Sequence, residues 1–247
     1  TTVLLYDRVI SFFDSHRVLL MRALTDRSSE YVAARSPSAA AIRRGYYMQE
    51  VVQHIYCSAI ISKKMCDALT SYVFSVSAAK GGIDEFIVYL VTGGGHPGSG
   101  MELYTFFKSR PERTTIYNMS SVDSAGVLFF LGFENRFGVP ASSFMVHQTK
   151  FSKAMLPEWY SYSDLKRSEL ELLAVDQKTH RVIATETAPK AHVPLSIEEV
   201  EAAAARTTVY FAEDARRHGF IEAITIPAMP KHDVFYLTDQ YLAGLPG

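Results

Sequence analysis

Residues 85–126 read EFIVYLVTGGGHPGSGMELYTFFKSRPERTTIYNMSSVDSAG, and the fold turns on how this stretch is parsed. Glu85 to Thr92 is dense in Phe, Ile, Val, Tyr and Leu, the composition of a buried strand. The run Gly93-Gly94-Gly95-His96-Pro97-Gly98-Ser99-Gly100 follows directly. Glycine is needed where a backbone must approach something closely or take a positive φ. Met101 to Lys108 then reads as a helix and Thr114 to Met119 as the next strand. Ser124 sits where that strand gives way to an apolar helix, Gly126 to Phe133. A sharp strand-to-helix turn pushes a serine hydroxyl outward and leaves the next N–H, that of Ala125, open at a helix N-terminus, a natural oxyanion donor. The commoner reason for a serine in such a place is helix capping.

Working outward, strands and helices keep alternating, which makes the class α/β. Upstream, His54 to Cys57 reads as a short strand and Ser62 to Ser75 as a helix capped by Ser62. Downstream, Ser143 to Val146 is a short strand ending at His147. Ser163 to Glu186 is a long amphipathic helix. Ser196-Ile197-Glu198-Glu199 has the form of a capping box opening an alanine-rich helix over 197–206. A last helix over 212–218 stops at Gly219, and Phe220 to Pro227 reads as a strand. At the other end, residues 3–24 have a roughly helical apolar period, and residues 26–45, rich in Ser, Ala and Arg, read as a linker or arm.

Bulk properties narrow the function classes. The chain has 247 residues, 48% hydrophobic and 21% charged, enough for one large domain with a sizeable core. A net charge of −1 argues against electrostatic capture by nucleic acid or an anionic membrane. No apolar run reaches the roughly 18 residues needed to span a bilayer; the longest, Val127 to Phe133, is interrupted by Gly132. The start, Thr1 to Leu5, lacks the basic region and cleavage site of a signal peptide, so a cytoplasmic location is expected. Cys57 and Cys66 form no C-x-x-C pair and read as reduced, partly buried thiols; neither a metal nor a cofactor is expected.

Each chemical feature is weak by itself. The glycine loop resembles a phosphate or dinucleotide cradle, yet has no Walker lysine and no convincing G-x-G-x-x-G with a ribose acid. A histidine after a strand is more often structural than a base. Their order is more telling. Thr92-Gly93-Gly94-Gly95-His96, Tyr104, Met119, Ser124-x-Gly126 and Phe144-Met145-Val146-His147-Gln148 follow one another as in the proteolytic subunits of the Clp proteases. The chain resembles that family from about residue 52 to 227. The spacing from Ser124 to His147 is slightly shorter than usual.

The resemblance implies a ClpP/crotonase-like spiral of repeated β-β-α units with a protruding handle helix, at Ser163 to Glu186. It implies an N-terminal extension over 1–50, the ClpP-like domain over 51–228 and a tail over 229–247. Ser124 would be the acyl-forming nucleophile and His147 the base that later protonates the leaving amine. Backbone N–H groups of Gly94 and Ala125 would hold the oxyanion, and Gly94, Gly95 and His96 would pair with an extended peptide by strand addition. Peptides or unfolded proteins would be cut inside a homo-oligomeric ring. Docking to an ATPase unfoldase is not assumed, because residues 1–50 depart from the usual core.

The family's third catalytic residue, an Asp, falls on Ala203 within Glu201-Ala202-Ala203-Ala204-Ala205. Disabling that carboxylate costs about 10⁴ in kcat in a well-studied triad. Three readings follow: a Ser–His pair served by Glu199, Glu201 or a backbone carbonyl; a catalytically impaired scaffold or regulatory subunit; or a shifted alignment of the alanine-rich helix. Separately, a crotonase-type enzyme of coenzyme A thioesters shares the underlying fold.

Overall fold

The computed structural model describes residues 50–150 and 161–245. The expected N-terminal helix and linker lie outside the described residues. The elements run β1 (Val52–Ser58), α1 (Lys63–Ala79), β2 (Glu85–Thr92), α2 (Pro97–Lys108), β3 (Arg113–Asp123), α3 (Ala125–Leu131), β4 (Asn135–Gly138), β5 (Ser143–Val146), α4 (Tyr162–Thr187), a 3₁₀ turn (Ala188–Lys190), α5 (Ile197–Arg206), β6 (Thr208–Phe211), α6 (Ala212–Arg217), β7 (Ala223–Ile224), β8 (Val234–Thr238) and α7 (Asp239–Ala243). They form an α/β architecture, with one sheet in the order β6-β5-β3-β2-β1-β8 and β4 and β7 branching from β3. Every pair is parallel except β5–β6.

Sequence and local structure agree closely in the interior of the chain. β2 covers the expected residues, and its middle is buried on both faces, which explains the unbroken apolar run. Ser62 caps α1 by accepting from the Met65 N–H, and Met65, Cys66, Leu69 and Val73 face the core. α5 carries the capping box, with Ser196 and Glu199 satisfying each other's backbone N–H groups. α3 is buried throughout, and its Phe129 and Phe130 join Phe107, Phe133, Phe144 and Phe220 in an aromatic core between α2, α3 and β5. Each such side chain contributes about 1.5–3 kcal/mol by burial.

The differences have physical causes. α2 begins at Pro97 rather than Met101, capped by His96, whose Nδ1 accepts the Ser99 N–H at 3.2 Å. Gly98 and Gly100 lower the helical signal of that first turn. Gly100 is nonetheless required, since a Cβ there would lie 2.5 Å from the Ala125 carbonyl oxygen, and the close approach seats α2 on α3. The strand expected over 220–227 shrinks to Ala223–Ile224, beside β4. The segment expected as a tail holds β8, which pairs with β1 at the sheet edge, and α7. β4 and β6, four residues each, were too short to stand out by period.

β3 runs on to Asp123, past the expected end at Met119, and this extension positions the site. Its first half pairs with β4 (Thr115↔Asn135 to Asn118↔Gly138) and its second with β5 (Ser121↔Ser143 to Asp123↔Met145). A register shift between Leu90 and Thr92 of β2 accompanies the handover. The buried Asn118 stitches the fork. Its amide donates to the Ser143 carbonyl at 2.8 Å, its side-chain oxygen accepts from Ser120, and its own carbonyl accepts from Val139.

Candidate active site

The site lies at the C-terminal ends of β3 and β5. Ser124 is the residue between β3 and α3, and its backbone is held at φ 54°, ψ −122°. A non-glycine residue there is strained by about 1–3 kcal/mol, a cost that structures retain mainly at functional positions. Its N–H donates to the Met145 carbonyl at 2.8 Å, which ties the turn to β5. The side chain makes no capping bond. Capping therefore does not account for the serine.

Gly94 presses against this turn. With φ at +87°, a Cβ there would lie 2.6 Å from the Asp123 carbonyl oxygen and 2.7 Å from Ser124 Cβ. One edge of the glycine loop is already paired: the Ile61 N–H donates to the Gly94 carbonyl and the His96 N–H to the Ile61 carbonyl, both at 2.8 Å. Backbone alternation turns the Gly95 N–H and C=O to the opposite edge. The Gly94 N–H, expected as an oxyanion donor, donates to Thr92 Oγ1 at 3.1 Å. Thr92 in turn donates to the Ala59 carbonyl at 2.8 Å, so a buried threonine outside the expected set shapes the loop. Among the described hydrogen bonds, neither Gly95 nor Ala125 spends its N–H. His96, expected to meet substrate, uses its Nδ1 as the α2 cap and is otherwise exposed.

His147 follows β5 directly. Its Nδ1 lies 2.6 Å from the Gln148 carbonyl oxygen. A carbonyl can only accept, so in the neutral imidazole Nδ1 carries the proton and Nε2 the lone pair, the tautomer that a base for a serine hydroxyl requires. Ser124 and His147 line one cleft with Pro97, Ala125, Val146 and Thr179. Among the described residues, no hydrogen bond joins Ser124 Oγ to the imidazole in this arrangement. The segment after the histidine is anchored where the Thr149 N–H donates to Asp176 of α4 at 2.8 Å.

The carboxylate question has a definite geometric answer. Ala203 is buried at 3% exposure, and its carbonyl accepts from Thr208 Oγ1 at 2.8 Å. Glu199 is spent in the α5 capping box. Glu201 is exposed and makes no hydrogen bond among the described residues. Of the substitutes considered from sequence, only a backbone carbonyl meets Nδ1. Asp123 was not singled out at all. It is half-buried beside Ser124, and burial pushes its carboxyl above its ordinary value, while the Met145 N–H and the His147 imidazole pull the other way. Among the described residues no cluster of three or more His, Cys, Asp or Glu forms a metal site, and no helix is long and apolar enough to cross a membrane.

Comparison with known proteins fits this geometry. The Clp protease family model matches residues 45–227. A solved point mutant of ClpP1 from Listeria monocytogenes superposes with a TM-score of 0.60 at 18% identity, over 70% of this chain and 91% of that one. At that identity the likeness concerns the fold. No curated protein matches.

Proposed function

Since this chain belongs to the Clp protease family, we propose that it is a serine-type peptidase that cuts peptides inside an oligomeric chamber, with Ser124 as nucleophile and His147 as base. The observation that carries this reading is the strained, non-capping Ser124, pressed by Gly94 and sharing a cleft with a histidine whose tautomer suits a base. In the reaction, Ser124 Oγ attacks the scissile carbonyl while its proton passes to His147 Nε2. The imidazolium returns that proton to the leaving amine, and water then releases the acyl group by the reverse path. The Gln148 carbonyl takes over the orienting half of the missing Asp's task, holding the ring in the right tautomer.

The Ala125 N–H stands ready as one oxyanion donor. Gly94 can serve as the second by giving up Thr92 Oγ1, and Gly95 is the neighbouring open donor. The free edge of Gly95 accepts an extended peptide by strand addition. Exposed Leu165, Leu170 and Leu173 on the outer half of α4 support a ring assembly built on this handle. A cytoplasmic setting belongs to the same reading.

A fluorophosphonate probe tests the proposal: it should label Ser124 in the assembled protein and fail on Ser124→Ala. No labelling of a folded, oligomeric sample would sink it. A second reading, a catalytically impaired scaffold subunit, is favoured by the carbonyl on His147 Nδ1, where no carboxylate stands among the described residues. It predicts inertness in isolation and assembly with an active relative, and a peptide-cleaving homo-oligomer would count decisively against it.

A further inference from the structure

We propose that Asp123 supplies the other half of the missing Asp's task, acting as a positioning residue whose negative charge stabilises the His147 imidazolium as it forms. The inference rests on the peptidase reading above and adds to it the source of the charge. Three observations carry it.

The first is placement. Asp123 is the last residue of β3 and is register-paired with Met145 of β5, two residues before His147. Paired residues in a parallel sheet project to the same face, and residues two apart on one strand share a face. Val122 and Phe144 are register-paired and buried, so they take the core side. Asp123 and Met145 then take the other side, and the alternation, carried one residue past β5, puts His147 there as well. Residues 143–147 follow this pattern in burial, with Phe144 and Val146 buried and Ser143, Met145 and His147 half-exposed.

The second observation is that Asp123 has no cationic partner: its carboxyl draws only on a neutral donor, the Met145 N–H. Among the described residues it joins no ion pair and caps no helix. Two other carboxylates are engaged elsewhere: Asp176 accepts from Thr149, and Glu199 closes the capping box. A half-buried carboxylate without a cation is unfavourable unless a positive charge appears beside it. Here one appears during the reaction, when the Ser124 proton reaches His147.

The third is electrostatic and agrees with the other two. A positive charge on His147 draws the Asp123 carboxyl down, against the upward push of burial. With the Gln148 carbonyl fixing the tautomer and Asp123 supplying charge, two groups divide what a single Asp does in a triad. The carbonyl explains the ring orientation without a carboxylate, and the carboxylate offsets a charge that a carbonyl dipole offsets only weakly.

The test uses the full-length assembled protein and a fluorophosphonate, reading the saturating labelling rate separately from the probe concentration at half-saturation. Asp123→Asn keeps the shape and removes the charge, so the saturating rate should fall roughly tenfold to a hundredfold with half-saturation unchanged. Asp123→Glu should restore a substantial part of the rate. Asp123→Ala, with its smaller side chain, should match Asp123→Asn and serves if the asparagine variant does not fold. A wild-type rate in either neutral variant overturns the proposal and leaves the Ser124–His147 reading standing. A loss that Asp123→Glu fails to recover, or one confined to half-saturation, also overturns it, because it marks a shape effect. Wild-type protein that is never labelled at Ser124 removes the peptidase reading and this inference together.

Discussion

Gly94→Ala is the sharpest test of how the loop and the nucleophile depend on each other. Two costs follow from the geometry. A φ of +87° is disfavoured for alanine, and its Cβ would meet backbone on one side, 2.6 Å from the Asp123 carbonyl oxygen, with Ser124 Cβ at 2.7 Å and the Ala125 nitrogen at 3.3 Å. The closest of these contacts falls short of ordinary separation by about 1 Å. Neither neighbour is the tip of a flexible side chain, so the loop or the turn must move by a comparable amount. Strain of this kind costs about 1–3 kcal/mol, which lowers Tm by about 3–10 °C for a domain of this size. Misplacement by about 1 Å also costs about 10²-fold in rate. Thermal unfolding and the fluorophosphonate labelling rate should therefore both fall. Gly93→Ala is the matched control, because a Cβ there meets nothing within 4 Å and its φ is ordinary. A Gly94→Ala protein with the melting temperature and labelling rate of Gly93→Ala would refute the claim that this glycine is packed against the Ser124 turn.

Replacing Ser124 by glycine should abolish labelling yet stabilise the fold by about 1 kcal/mol relative to Ser124→Ala, because only glycine takes φ 54° without strain; equal melting of the two variants would contradict that strain. Glu186 accepts from Tyr104 Oη at 2.7 Å and from Lys108 Nζ at 2.6 Å, close to the buried Arg136. Burial alone would raise its carboxyl, but these partners hold it below the ordinary 4.5. Its contribution is thus complete above pH 4.5 and disappears as pH falls through the lowered value. Glu186→Gln should cost about 2–3 kcal/mol near neutrality, with the gap in Tm between variant and wild type closing on acidification; a gap independent of pH would be inconsistent. Cys57 and Cys66 are free and buried, and burial pushes both thiols up to about 12. Iodoacetamide at about pH 8 should leave both unmodified until denaturant is added, and rapid alkylation of the folded chain would show that the core is open.

Patterns that depend on neighbours along the chain were legible. The capping serines Ser62 and Ser196, the buried strand Glu85–Thr92 and the stop at Gly219, with φ +79°, each act over a few residues, so local composition reveals them. The ordered run from Thr92 to Gln148 also carried the family resemblance and marked Ser124 and His147 as the candidate pair. Elements whose stability comes from a distant partner were harder to read. β8 is a strand because β1 offers it an edge, and α2 carries Gly100 in its first turn because that residue must sit against Ala125. Its glycines weakened the local helical signal for the very reason that makes the packing close.

The sequence by itself determined the α/β class and the family resemblance, marked Ser124 and His147 as candidates, and put Ala203 where the family pattern has its Asp. Each of these is a matter of which residue stands where in a chain order. Only the tertiary structure decided that Ser124 is strained rather than capping, that His147 Nδ1 meets the Gln148 carbonyl, and that Asp123 shares a sheet face with His147. Those facts depend on how β3 leaves β4 at Asn118 and takes up β5, a long-range pairing that no local pattern encodes.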